Sequence, residues 1–364
     1  MMRTMLLVGV AMGLSACSSV RYVGQAAGGQ AEVMSKARPI AELLADPATP
    51  AELADKLKLA QTLRAFAVKE LKLPDNSSYT QYADLGRPYA LWNVVSTPAL
   101  SLRPVESCFP VAGCLAYRGY YAEGDAANYA EQRRKLGEDV YLYGIPAYST
   151  LGWFADPLLN TTIRYDNAAL ARLIFHELAH QVIYVRDDSA FNEAFATTVE
   201  LEGYERWLSI RGEAAAMVAY RTAERRRTAF RQLMASGRAR LETVYGGEGS
   251  EAEQQAAKAA ILAEVAANYW LLKAEWGGYI GYDEWFAPVP NNAHFASVAT
   301  YHDKVPALRA LFRQQGSDFK AFYRAAQALA EKNRAARDAS LAALTSAVVS
   351  GEKQRGATNS VDTP

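Results

Sequence analysis

The chain has 364 residues, carries 39 Lys and Arg against 39 Asp and Glu, and is 50% hydrophobic. It is too apolar for a disordered chain and too evenly charged for one that neutralises nucleic-acid phosphates, so no nucleic-acid partner is expected. Fibrous and polytopic membrane classes are excluded as well, because only one uncharged apolar run stands out and it is short.

That run, Met5 to Leu14, follows Arg3. About ten apolar residues make half a membrane span but suit the core of a secretory signal. The run ends in Leu14-Ser15-Ala16-Cys17, which resembles the bacterial lipobox, where a signal peptidase cuts before the cysteine and the thiol is acylated. The resemblance implies a signal peptide over 1–16 and lipidation of Cys17. With Ser18 and Ser19 following in place of Asp, it implies an address at the outer membrane of a Gram-negative envelope, facing the periplasm. Residues 17–38, with a stretch rich in Gly, Ala and Gln, read as a tether from that anchor to the folded part.

From Pro39 to Leu73 the pattern is helical, and Leu53, Leu57, Ala60, Leu63, Ala67 and Leu71 recur at spacings of three and four until Pro74-Asp75-Asn76 stops it. Residues 79–121 change character. Tyr89–Val95 and Leu115–Tyr121 are rich in aromatic and β-branched residues and read as strands. Between them Cys108 and Cys114 bracket a short loop rich in turn residues. In an exported protein these two cysteines most simply form a disulfide. A short helix fits Ala126–Leu136, and Val140–Tyr148 reads as another strand, followed by an aromatic segment to Trp153. Asn167 to about Tyr245 is almost wholly helical, and 251–275 and 317–346 are further helices. The polar tail, 351–364, is expected to be disordered. With no internal repeat, residues 39–350 form one α+β domain: a small sheet region over 79–150, then a predominantly helical half over 166–350.

Two of the chain's four histidines lie in His176-Glu177-Leu178-Ala179-His180. Helical residues four apart share a face, so both imidazoles can point at one cation. Glu177 lies about a third of a turn away, close enough to meet a metal-activated water without ligating the metal. Ala168 to Phe175 and Val182-Ile183 support a buried helix, with Asp166-Asn167 as its cap. Catalytic zinc needs a third protein ligand and one open position. Phe191-Asn192-Glu193-Ala194 opens the next helix after the polar turn Arg186–Ser189, and an antiparallel return brings Glu193 back over His180. Glu193 therefore leads as third ligand, with Asp188, His294 and His302 as rivals.

His176–His180 followed by Asn192-Glu193-Ala-Phe-Ala196 resembles the gluzincin metallopeptidases, notably the aminopeptidase-N-like enzymes, in which a Glu in a similar context is the third zinc ligand. With the lipobox and the segment Gly144–Trp153, the mature chain is more similar to the bacterial family of predicted lipoprotein aminopeptidases. The resemblance implies zinc as cofactor, a peptide substrate, Glu177 as general base and a Tyr or His that steadies the oxyanion. Tyr301 leads for that last role, with His294 and His302 behind it. Two departures are visible. Twelve residues separate His180 from Glu193 where the aminopeptidase-N-like enzymes have eighteen, and the Gly-Ala-Met-Glu-Asn type segment that anchors their substrate amine is absent.

Other residues keep two readings. Tyr141–Trp153 is either an edge strand that pairs with an extended peptide or an ordinary Tyr-rich strand. Asp156 is a candidate for holding a substrate amine. Glu200, seven residues after Glu193, either supports a ligand histidine or is a solvated acid. Arg225-Arg226-Arg227 fits an exposed helix with interspersed charges. At the level of function, a zinc aminopeptidase stands against an endopeptidase, and against a metal-stabilised envelope lipoprotein that binds peptide or cell-wall material without cleaving it. An intact Glu177 favours the enzyme, because a purely structural zinc has no use for that base.

Overall fold

A computed structural model describes residues 22–109, 113–148, 150, 154–299 and 304–345. The signal and lipidation segment with Cys17, the pair Tyr301 and His302, and the tail from 346 onward all lie outside these residues. Sheet and helix are combined in the α+β manner: three small sheets precede a helical half. No helix among the described residues is long and apolar enough to cross a membrane.

The first element corrects an expectation. The stretch read as a tether is a helix over residues 22–36, α1. Its partners lie about ninety residues away: Gln25 bonds the backbone at Gly119 and Tyr121, and the side chains of Gln30 and Tyr121 meet at 3.2 Å. Gly29 is needed there, since a Cβ would meet the Tyr121 ring at 2.0 Å. Composition that looks like a flexible spacer therefore serves close approach to an aromatic ring.

Strand β1 (Ala37–Pro39) pairs antiparallel with β2 (Gln81–Ala83), and β2 pairs parallel with β8 (Leu158–Leu159). Between β1 and β2 lie α2 (Ile40–Ala45) and α3 (Ala51–Lys69). The helical pattern expected from Pro39 is thus broken once, at residues 46–50, where Pro47 and Pro50 each remove a backbone donor. On α3 the expected stripe is buried at Leu57, Ala60, Leu63 and Ala67.

The second sheet is antiparallel in the order β6 (Arg118–Tyr120), β3 (Leu91–Thr97), β7 (Asp139–Ile145). Its two faces diverge with the alternation of a strand. Trp92, Val94, Tyr120 and Val140 pack with Ala126 and Ala130 of α4 (Glu123–Lys135). Val95, Tyr141 and Tyr143 pack with Ala293 and Ala296 of α11 (Asn292–Ala299). The expected strand Leu115–Tyr121 is split: Gly113–Leu115 is β5, hairpinned with β4 (Ser107–Phe109), and only 118–120 joins the larger sheet. Cys108 and Cys114 face one another in that hairpin and are disulfide-bonded, S–S 2.01 Å.

After the short α5 (Asn160–Ile163), the stretch read as almost wholly helical is three helices, α6 (Asn167–Ala179), α7 (Ser189–Arg211) and α8 (Ala214–Tyr245), and the turn expected at Arg186–Ser189 lies between the first two. Gly212 ends α7 in the left-handed region at φ 67°, a common use of glycine at a helix C-terminus. Helix α8 packs with α9 (Glu251–Glu275), whose Ser250 and Glu253 form a capping box. The short α10 (Asp283–Phe286) and then α12 (Val305–Gln314), α13 (Phe319–Ala330) and α14 (residues 334–345) follow. The expected helix over 317–346 is therefore two, broken at 331–333. The main core joins α3, α6, α7, α12 and α13 around Leu57, Phe175, Phe191, Phe195, Leu308 and Phe322. Gly203 of α7 is closely covered: a Cβ there would sit 2.6 Å from Leu71 Cδ1, just past α3, and 3.3 Å from Phe175 Cδ2 of α6.

Candidate metal centre

Helix α6 starts where Asp166 accepts a hydrogen bond from the Ala169 amide at 2.7 Å. Leu170, Ala171, Ile174, Phe175, Leu178 and Ala179 bury it, which leaves the face of His176 and His180 as its polar line. The chain turns at once. Asp188 caps α7 through the Phe191 amide at 3.1 Å. Asn192 closes the turn from within, accepting from the Val185 amide and donating to the Val185 carbonyl, both at 2.8 Å. This pinned turn carries Glu193 back against the imidazoles.

The result is one cluster. His176 Nε2 and His180 Nε2 lie 3.2 Å apart, and the Glu193 carboxylate reaches them at 3.3 and 3.7 Å. One donor atom from each residue falls within 4.8 Å of the others. Two imidazoles and a carboxylate converging this closely favour a positive charge among them, whether a proton or a metal ion. The charges respond accordingly. Burial works against protonation of His176, but hydrogen bonds to Glu193 and Glu200 outweigh it and hold its pKa well above the ordinary value. Burial and the His176 charge push His180 down to about 4, so it stays neutral. Two imidazoles and one carboxylate are protein donors that zinc takes, and the residues fit that ion. A second grouping by proximity, Glu106 with Cys108 and Cys114, is no rival, because both sulfurs are spent in the disulfide.

Glu177 stands beside the cluster but is not one of its donors. Burial foremost, aided by the Glu193, Asp156 and Glu200 charges, raises its pKa to about 7 in spite of His176. That is the range in which a carboxylate both takes and returns a proton near neutrality.

Glu200 is not the solvated acid of its second reading but packs against His176. It is 8% exposed and lies 3.0 Å from His176 Nδ1, with Arg172 ion-paired to its other oxygen. Burial alone would raise its pKa, but Arg172 and His176 together lower it to about 2.

Of the rival ligands, His302 lies outside the described residues, and Asp188 and His294 fall elsewhere. Asp188 is committed to Arg337, which donates to its Oδ2 at 2.9 and 2.6 Å, with both residues almost fully buried. Asp188→Ala is expected to cost about 3–5 kcal/mol, because it leaves a buried guanidinium without its carboxylate. Urea unfolding checks this, and Asp188→Ala combined with Arg337→Met should recover most of the loss. His294 is stacked on Tyr141 at 3.9 Å and bonded to Asn291, outside the cluster. Asp156 is buried and bonded to Thr150 at 2.9 and 2.7 Å; its charge reaches Glu177. Arg225, Arg226 and Arg227 lie on α8, and Arg227 bonds Glu224 at 2.7 Å.

Three site residues had no signal of their own in the sequence. Arg172 could have been found as the residue one turn before His176. Tyr117 and Tyr143 could not: both are half-buried against the second sheet's cluster with Val95, and the Glu193 charge adds to desolvation in raising their pKa values.

A family model described as "Putative aminopeptidase" matches residues 21–341, which takes in both the sheet region and the helical half. No curated protein and no solved structure matches.

Proposed function

The chain belongs to this aminopeptidase family, and from that premise we propose that it is a zinc-dependent, gluzincin-like aminopeptidase in which Glu177 is the general base. The observation that carries the reading is the convergence of His176, His180 and Glu193 beside a carboxyl held near neutrality. His176 and His180 from α6 and Glu193 from α7 would hold the ion. Zinc supplies Lewis acidity that brings the pKa of water toward neutrality and polarises a carbonyl.

The chain's own groups do the rest. Glu177 accepts a proton from the water whose oxygen bonds to the peptide carbon, then returns it to the amide nitrogen as the carbon–nitrogen bond breaks. Products are a free carboxylate and a free amine. Glu200 keeps the His176 ring oriented. Tyr301 remains our candidate for steadying the oxyanion; it lies outside the described residues. Asp156, buried on the Glu177 side, supports capture of a substrate amine.

We further propose that Cys17 is lipidated and holds the enzyme at the outer membrane, facing the periplasm.

Zinc-loaded protein assayed on paired peptides with free and acetylated N-termini tests the exopeptidase reading. Free peptides should be cleaved and acetylated ones left intact. Equal cleavage of both would make the protein an endopeptidase.

A further inference from the structure

Glu224, Arg227 and Arg231 follow one another at spacings of three and four and so share a face of α8. That face turns toward α6. Arg227 bonds Glu224 Oε1 at 2.7 Å, and the same oxygen lies 4.0 Å from Arg172, whose own ion pair is with Glu200. Two acids thus serve three guanidinium groups, and Arg231 is left over. Among the described residues it bonds Thr228 Oγ1 at 3.1 Å and has no carboxylate within ion-pair distance. It is half-buried, and desolvation together with the Arg227 and Arg172 charges lowers its pKa in spite of Glu224. A partly desolvated cation among like charges is costly, and an arriving anion relieves it.

Two lines of contact join this position to the candidate metal centre. One follows α6, from His176 through Glu200 and Arg172 to Glu224. The other follows the sheet side. The Glu193 charge reaches Tyr143, which stacks on Tyr141 at 4.7 Å, and Tyr141 stacks on His294 at 3.9 Å. Trp285 meets His294 edge-on at 5.2 Å and Phe230 at 5.4 Å. Phe230 in turn stacks on Tyr282 at 4.3 Å, and Tyr282 feels the Arg231 charge. Both lines start at the metal donors and end at the Arg231 face of α8.

We propose that Arg231 receives a carboxylate of the bound peptide, so that the substrate is held at the metal centre and again by a guanidinium further along. The inference rests on the peptidase reading above. Arginine presents a planar fork that matches the two oxygens of a carboxylate, and such charge-assisted bonds are about twice as strong as neutral ones. A peptide offers that group from two sources, its free C-terminus and an acidic side chain. The seven residues from Glu224 to Arg231 span roughly 10 Å, which about three extended residues cover. Short peptides are therefore the class that this second grip suits.

Steady-state kinetics of the zinc-loaded full chain on matched peptides of three to six residues test the proposal. One pair differs in a C-terminal acid or amide; the other is amidated and differs in Glu or Gln at the third residue. One of the pairs is expected to favour its carboxylate member by about 10–100-fold in kcat/KM, and which pair does so identifies the source. The difference should lie in KM, because the grip is the same before and during bond breaking. Arg231→Gln is expected to bring the preference within twofold, while Arg225→Gln, at an exposed position of α8, keeps it. Arg231 strands no acid when it is removed, so the thermal midpoint of Arg231→Gln should not fall. Binding of the same peptides to the metal-free chain, followed by tryptophan fluorescence, should show the same preference without turnover. Absence of the preference from both pairs overturns the proposal and leaves the metal centre standing, as does its retention in Arg231→Gln with a lowered or an unchanged midpoint. A zinc-loaded chain that cleaves no peptide, with a metal-free chain that binds none, removes the peptidase reading itself and the proposal with it.

Discussion

Glu177→Gln is expected to lose peptide hydrolysis by about 10³-fold while holding zinc as tightly as the unaltered chain. The size follows from general-base catalysis, which contributes roughly 10²–10⁴. The separation of the two effects follows from position: Glu177 is next to the His176, His180 and Glu193 donors without being among them. Gln keeps the shape and removes only the ability to take a proton. Because burial drives the Glu177 pKa up to about 7, the neutral amide also resembles the protonated form already accommodated there, and the fold should not suffer. Kinetics on a free peptide together with metal content of the same preparation check it. A variant as active as the parent would remove Glu177 from the mechanism.

Glu193→Gln is expected to act on the metal first. Apparent binding free energies of four-ligand zinc sites run to about 10–16 kcal/mol, so one anionic ligand accounts for roughly 3–4 kcal/mol. At 1.4 kcal/mol for each tenfold, zinc affinity should fall by about 10²–10³. Hydrolysis at low zinc should vanish and return in part at high zinc. Loss of activity with unchanged affinity would mean that Glu193 does not ligate.

How much of this could be read from the chain alone differs from place to place, for physical reasons. The helix of His176 and His180 is legible because its cap, its apolar flanks and its period are local. The return of Glu193 is legible for a related reason: Asp188 and Asn192 settle the turn within a few residues. Asp188 looked like a rival ligand because its true partner, Arg337, lies 149 residues away. The helix at 22–36 was hidden in the same way, since Gly29 and Gln30 take their meaning from Tyr121. Glu200 sat on the right face by spacing, yet only the arrival of Arg172 and His176 together separates an orienting acid from a solvated one. The strand order β6-β3-β7, and with it the position of Tyr117 and Tyr143 near Glu193, depends on pairing between segments that no local pattern encodes.

Diffraction from crystals of the zinc-loaded chain, with anomalous data across the zinc absorption edge, tests the metal assignment most directly. One peak is expected at about 2.0–2.2 Å from His176 Nε2, His180 Nε2 and a Glu193 oxygen, the usual lengths for such ligands. A fully loaded crystal with its peak elsewhere, or with Glu193 turned away from the ion, would contradict the account.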